Sequence, residues 1–260
     1  MSVPGSESGR GRVGLFVTCL ADLFRPSVAW ASVQLLEQAG FEVAVPDRQT
    51  CCGQPAYNAG DLPTARRVAR GILDAFEPFD YVVVPSGSCA GMLRLHLGRL
   101  FASEPETAAR AEQLARRTHE LTGFLVDVAG WTEVAATFPH RVTYHDSCSS
   151  LREMAVRDQP RTLMTQVQGL ELVELQDRDV CCGFGGTFCV KYSDISTKMV
   201  SDKTAAIAAT GAETVLAGDL GCLLNIAGRL AREGRPVACR HVAEVLAGMT
   251  DTDPIVPVGS

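Results

Sequence analysis

Four cysteines spaced as Cys19, Cys51-Cys52 and Cys89 are followed by four more spaced as Cys148, Cys181-Cys182 and Cys222. Matching members are separated by 129, 130, 130 and 133 residues, and each adjacent pair runs into a glycine, Gly53 or Gly183. A chain that presents one thiol set twice, in order and at nearly one offset, is constrained to be a tandem repeat. Its 260 residues divide into two units of about 130, each long enough to bury a core. The expected organisation is a first lobe over 1–135, a second over 136–250 with the break near 132–140, and a flexible tail over 251–260, rich in Asp and Pro.

The pattern between the cysteines decides the fold class. Val13-Gly14-Leu15-Phe16-Val17 is a short apolar run ending at Thr18-Cys19, and Val28, Ala31, Leu35 and Ala39 then mark a helical face that stops at Gly40. A second strand over Phe41–Val45 leads to the first Cys-Cys-Gly, a helix is expected from Leu62 to Phe76, and a third strand, Tyr81–Val84, runs into Cys89. A charged helix is expected from Glu104 to about Glu120. The second half repeats the alternation, with strands at Arg141–His145, Leu170–Leu175 and Thr214–Ala217 and a helix from Ile195 to Ala209. Short apolar strands alternating with helices predict an α/β fold: two tandem pseudo-repeated Rossmann-like lobes, each a small mainly parallel sheet flanked by helices. The cysteines all follow carboxyl ends of strands, which share one edge in a parallel sheet, so thiols distant in sequence are expected to converge there.

Thr122–Gly130 and Arg240–Gly248 also echo one another, so the repeat reaches beyond the cysteines. In that echo His241 falls beside the position of Phe124, which argues for a helix-start or packing role.

Thiolates select zinc, copper(I) or iron–sulfur centres. Zinc sites usually pair cysteines two to four residues apart, whereas adjacent cysteines suit different irons of one multinuclear group, and four thiolates match the usual count for a [4Fe–4S] cluster. The candidate ligands are therefore Cys19, Cys51, Cys52 and Cys89 in the first lobe and Cys148, Cys181, Cys182 and Cys222 in the second, with zinc or another metal in at least one lobe and reversible thiol chemistry as the competing readings. Gly53, Gly183 and the run Gly183-Phe184-Gly185-Gly186 would let backbone N–H groups approach sulfur. Met1–Gly11 lacks the apolar core of a secretory signal, so a cytoplasmic location is expected, where thiols stay reduced. A net charge of −6 and a pI of about 5.4 work against nucleic-acid binding. No apolar run approaches the ~18 residues of a membrane span.

The double arrangement of Cys, Cys-Cys-Gly and Cys resembles the cysteine-rich CCG-domain family, which includes the cysteine-rich chain of heterodisulfide reductase and the iron–sulfur chain of glycolate oxidase. Phe16–Cys19, Cys51-Cys52-Gly53-Gln54-Pro55-Ala56, Gly87-Ser88-Cys89, Cys181–Phe188, Cys222-Leu223-Leu224-Asn225-Ile226 and His241–Leu246 carry the resemblance, most closely to its lactate-oxidising branch. It implies an iron–sulfur electron-transfer subunit of a cytosolic complex that oxidises L-lactate to pyruvate with two sibling subunits, holding one cluster per lobe. A disulfide reductase and a metal-stabilised scaffold are the alternatives. The heterodisulfide reductase pattern has a fifth cysteine in each motif; here Ser86 and Asp219 stand at those positions, Asp219 offering an oxygen ligand.

Other residues have simpler readings. Cys189 and Cys239 have no counterparts in the repeat and are read as packing or incidental thiols. His145, three residues before Cys148, has the chemistry to ligate iron or donate to sulfur, but a strand-end histidine in a satisfied polar contact is the commoner case. Lys191 and Asp194 are read as a solvated face.

Overall fold

The computed structural model describes residues 10–255. Two four-stranded sheets are built from parallel pairs. In the first, β1 (Arg12–Leu15), β2 (Glu42–Ala44), β3 (Tyr81–Val84) and β4 (Thr118–Glu120) lie in the order β2-β1-β3-β4. In the second, β5 (Arg141–His145), β6 (Glu171–Leu172), β7 (Thr214–Ala217) and β8 (Ala238–His241) lie in the order β6-β5-β7-β8. The expected α/β architecture of two parallel lobes is thus present. The chain winds one way from β1 to β2 and the other way from β1 to β3, which opens a crevice between β1 and β3 at their carboxyl ends.

Local chemistry explains the elements. β3 reads Tyr-Val-Val-Val, and its three valines are fully buried because helices cover both faces of the sheet. The helix Leu62–Phe76 starts where the Asp61 carboxylate accepts from the Thr64 N–H, with Pro63 in the first turn, where its missing N–H costs nothing. Ala65, Ala69, Ile72, Leu73 and Phe76 share its buried face. Burying Ile72 and Phe76 fully stabilises the lobe by about 2 kcal/mol each.

Two strands were hidden in the sequence. The charged helix begins at Pro105 and ends at Arg116, and Thr118–Glu120 then forms β4 on the sheet edge, with Val82 paired to Thr118. β8 is its counterpart. The alternating stretch Leu170–Leu175 contributes only Glu171–Leu172 to its sheet. The echo of Thr122–Gly130 in Arg240–Gly248 holds at its glycines, Gly130 and Gly248, both at positive φ. Its start is displaced, because a π-helical turn over Phe124–Val128 lengthens the first copy. His241 therefore corresponds to Glu120 as a helix N-cap, the helix-start role expected of it.

The lobes share one core. Leu15, Leu35 and Phe124 of the first pack in the same apolar cluster as Val142, Leu163, Leu216 and Val245 of the second, with Trp131 and Phe138 of the connecting segment among them. The helix Ser27–Gln38 packs on Val242–Leu246, where buried Glu244 takes Arg25 Nε at 2.7 Å and Ser27 Oγ. Of the expected flexible tail, 256–260 lies outside the described residues. Within them, Ile255 is buried and its N–H donates to the Cys239 carbonyl, so the chain is held down that far. Among the described residues no helix is long and apolar enough to cross a membrane.

Candidate metal centres

Each lobe brings its four thiols to the carboxyl edge of its sheet by the same three devices. After β1 and β5, Thr18 and Ser147 cap short helices through their hydroxyls, and the first residues of those helices are Cys19 and Cys148. After β3 and β7, Ser86 and Asp219 cap the helices Gly87–Gly91 and Leu220–Arg232, whose first turns carry Cys89 and Cys222. Between them, Cys51-Cys52 and Cys181-Cys182 lie on loops that turn sharply at Gly53 (φ +84°) and Gly183 (φ +80°), left-handed conformations that glycine adopts without a Cβ penalty.

The turns aim backbone donors at sulfur. The Gly53 N–H donates to Cys51 Sγ at 3.4 Å and the Gly183 N–H to Cys181 Sγ at 3.3 Å. The thiols of Cys19, Cys51, Cys52 and Cys89 lie close enough to perturb one another, as do those of Cys148, Cys181, Cys182 and Cys222. In each set the two thiol neighbours, with the glycine N–H, hold the first cysteine of the pair, Cys51 or Cys181, far below the usual thiol range. The neighbouring Cys51 and Cys181, with burial, push Cys19 and Cys148 up in turn. The same position of the repeat is thus the one that most favours the thiolate form in each nest. All eight residues expected as ligands are gathered, four to a nest.

The two nests are neighbours. A cavity of about 140 Å³ lies against Cys19, Cys51, Cys52 and Cys89, and one of about 80 Å³ lies against Cys148, Cys181, Cys182 and Cys222. Both are also lined by Gln54, Ser88, Phe184, Gly186 and Asp219. The phenyl ring of Phe184 lies where a Cβ on Gly221 would come within 2.4 Å, so that glycine is required for the ring to sit between the nests. Gly87 is required in the same way: a Cβ there would meet Ser150 N at 2.6 Å, because the helices carrying Cys89 and Cys148 touch across the lobe boundary.

Asp219 ties the nests together. Its Oδ1 accepts from the Gly221 N–H at 3.2 Å, while Oδ2 accepts from Ser86 Oγ at 3.0 Å and from the Ser88 N–H at 3.1 Å. Ser86 and Asp219, the N-caps at matching positions of the two halves, are thus bonded to each other across the lobe boundary. Both carboxylate oxygens of Asp219 are engaged in this clasp, and the residue also lines both cavities.

The nests differ in what surrounds them. His145 is fully buried at the end of β5, and neither ring nitrogen has a hydrogen-bond partner, contrary to the expectation of a satisfied polar contact. One of its nitrogens lies within 4.8 Å of both Cys182 Sγ and Cys222 Sγ. Burial, helped by nearby Lys203, pushes its pKa down to about 3 and keeps the imidazole neutral. Lys203 is 2% exposed and donates to the Asp177 carbonyl at 3.2 Å. Sequence reasoning passed over Lys203. The signal was a lysine within the helical stripe of Ser196, Val200 and Ile207, all buried. Asn225, whose amide holds the Cys182 carbonyl at 2.9 Å, was also missed as a positioning group. Cys239 is a buried core thiol, Cys189 donates to the Gly186 carbonyl, and Lys191 and Asp194 are exposed.

A larger groove of about 560 Å³ opens beside Cys19 and Cys51, between Trp30, Val33, Val45 and Asp47. Among the described residues its lining has two carboxylates, Asp22 and Asp47, and no cation.

The donor set fits an iron–sulfur group. Each nest offers four thiol sulfurs and a backbone N–H already directed at one of them, and the second nest adds a buried imidazole whose polar atoms lack partners. Comparison with known proteins agrees. The model of the cysteine-rich CCG domain matches residues 13–94 and 142–227. The lactate utilization protein A of Geobacillus kaustophilus is 49% identical over 235 residues, covering 90% of this chain and 98% of that protein. The protein of the same name from Bacillus subtilis is 46% identical over 235 residues, with the same coverage of both chains. A solved structure of a hypothetical protein from Helicobacter pylori superposes with a TM-score of 0.63 at 10% identity, over 93% of this chain and 49% of that one, a likeness of fold.

Proposed function

From the premise that this chain belongs to the cysteine-rich CCG-domain family, we propose that it is the iron–sulfur electron-transfer subunit of a complex that oxidises L-lactate to pyruvate. One observation carries the reading: two four-thiol nests lie side by side at the carboxyl edges of two parallel sheets, in a chain nearly half identical to proteins named for lactate utilization. Held by Cys19, Cys51, Cys52 and Cys89 in one nest and by Cys148, Cys181, Cys182 and Cys222 in the other, a [4Fe–4S] group supplies one-electron transfer.

The protein's own residues prepare that role. The thiols of Cys51 and Cys181 are held below the usual thiol range, which favours the deprotonated form that binds metal. The Gly53 and Gly183 N–H groups stabilise negative charge on sulfur. Burial of Cys52, Cys89, Cys182 and Cys222 keeps water from the inner side of each nest. The Ser86–Asp219 clasp fixes the nests at one separation.

Lactate is a carboxylate, and the groove beside the first nest is acidic, so it repels such a substrate. The carboxylate-binding and dehydrogenating groups accordingly belong to the sibling subunits, with this chain as their electron partner. A chain with ten cysteines and paired thiol nests also suits the reducing cytoplasm.

Anaerobic reconstitution with iron and sulfide tests the reading. Two iron–sulfur signals in the EPR spectrum of the reduced protein, and lactate-dependent reduction when the sibling subunits are added, are expected. A colourless protein that binds only zinc would refute it.

A further inference from the structure

The two halves of the repeat are alike in their thiols and unlike around them. Three residues before the first cysteine stands Phe16 in one lobe and His145 in the other, both fully buried. A second exchange lies on the helix behind each nest. A Cβ on Gly53 would face the Ala65 carbonyl and one on Gly183 the Ser196 carbonyl, which aligns the two helices so that Lys203 occupies the place of Ile72. Ile72 is fully buried and Lys203 is 2% exposed. The first nest is therefore backed by a phenyl ring and a branched alkyl group, the second by an imidazole and an ammonium.

A neutral imidazole carries one N–H and one lone pair, and burying either without a partner is unfavourable. In His145 both nitrogens are buried and unpartnered within the protein, and the sulfurs of Cys182 and Cys222 stand beside the ring, all within 4.8 Å of one imidazole nitrogen and of each other. Four thiolates already complete the usual ligand count of the second nest, so donation to sulfur is the role left for the ring. Hydrogen bonds to sulfur and nearby positive charge both favour the more negative, reduced form of such a centre and raise its potential.

Resting on the iron–sulfur reading above, we propose that His145 donates a hydrogen bond to a sulfur of the group held in the second nest, and that with Lys203 it makes that centre the higher-potential one of the two. His145 is thereby a positioning and tuning residue with no counterpart in the first lobe.

The wild-type protein, reconstituted anaerobically and carrying ¹⁵N-histidine, provides a test that needs no variant. Pulsed EPR of the reduced state is expected to show a weak histidine nitrogen coupling on one of two centres. That centre should also titrate at the higher potential. In His145→Phe, which installs the residue of the first lobe, the coupling should vanish and the potential of that centre fall, with the other centre unmoved. His145→Gln keeps an N–H and should retain most of the potential, and Lys203→Met should lower it while leaving the coupling. Absence of histidine coupling in the loaded wild type, the strong coupling of a direct iron ligand, or equal potentials for the two centres would each overturn the proposal while leaving the iron–sulfur reading intact. Failure of the wild type to take up iron and sulfide would overturn both.

Discussion

Replacing Asp219 by alanine removes the clasp, and its cost follows from three hydrogen bonds. The Gly221 N–H loses its cap, worth about 1 kcal/mol. The Ser88 N–H and the Ser86 hydroxyl lose a charged acceptor; Ser86 Oγ retains Ser88 Oγ at 3.1 Å, while the Ser88 N–H is left without a partner. Charge-assisted bonds of this kind contribute about 1.5–3 kcal/mol each, less when one partner is re-satisfied. The sum is about 3 kcal/mol, equivalent to roughly 6–12 °C in Tm for a chain of this size. Asp219→Ser caps its own helix as Ser86 does but is too short to reach across, so about 2 kcal/mol is expected. The assay is urea unfolding of the reduced, metal-free protein followed by circular dichroism, with one transition because both lobes share a core. An Asp219→Ala protein within about 1 kcal/mol of wild type would refute the clasp, since cap loss alone would account for it.

Three further outcomes are expected. Glu120 is fully buried, and burial pushes its pKa up to about 7 against an ordinary 4.5; a carboxyl raised in the folded state stabilises at low pH and loses that contribution as pH rises through 4.5 to 7. Glu120→Gln should therefore flatten the fall in stability over that window and gain about 3 kcal/mol at pH 8, measured by unfolding across pH. Gly87→Ala forces a Cβ to within 2.6 Å of Ser150 N, and with backbone on the far side the lobes must shift; a loss of about 1–3 kcal/mol is expected in thermal unfolding, against little change for Gly98→Ala, where the space is open. Cys51→Ser and Cys181→Ser should each remove about half of the bound iron and a different EPR signal. Loss of all iron from either single change would contradict two separate nests.

Much of this molecule was legible because its signals are local. The thiol offsets announced two lobes, and the strand runs before Cys19, Cys89, Cys148 and Cys222 placed those residues at one edge of parallel sheets. The short strands β4 and β8 were not legible: Thr118–Glu120 is three residues long and abuts a charged helix, so no period distinguishes it. Its identity comes from pairing with Val82, Val83 and Val84, supplied from elsewhere in the chain.

The sequence by itself determined the repeat, the α/β class and the eight candidate sulfur donors, since spacing and periodicity are properties of neighbouring residues. Only the tertiary structure decided what Asp219, His145 and Lys203 do. Asp219 reads in sequence as a spare ligand and in the fold as an acceptor for Ser86, 133 residues away. His145 reads as an ordinary strand end, and only the packing of β5 against the second nest leaves both its nitrogens unpartnered beside two sulfurs. Such roles depend on which distant groups burial leaves unpaired, a quantity that exists only once the chain has folded.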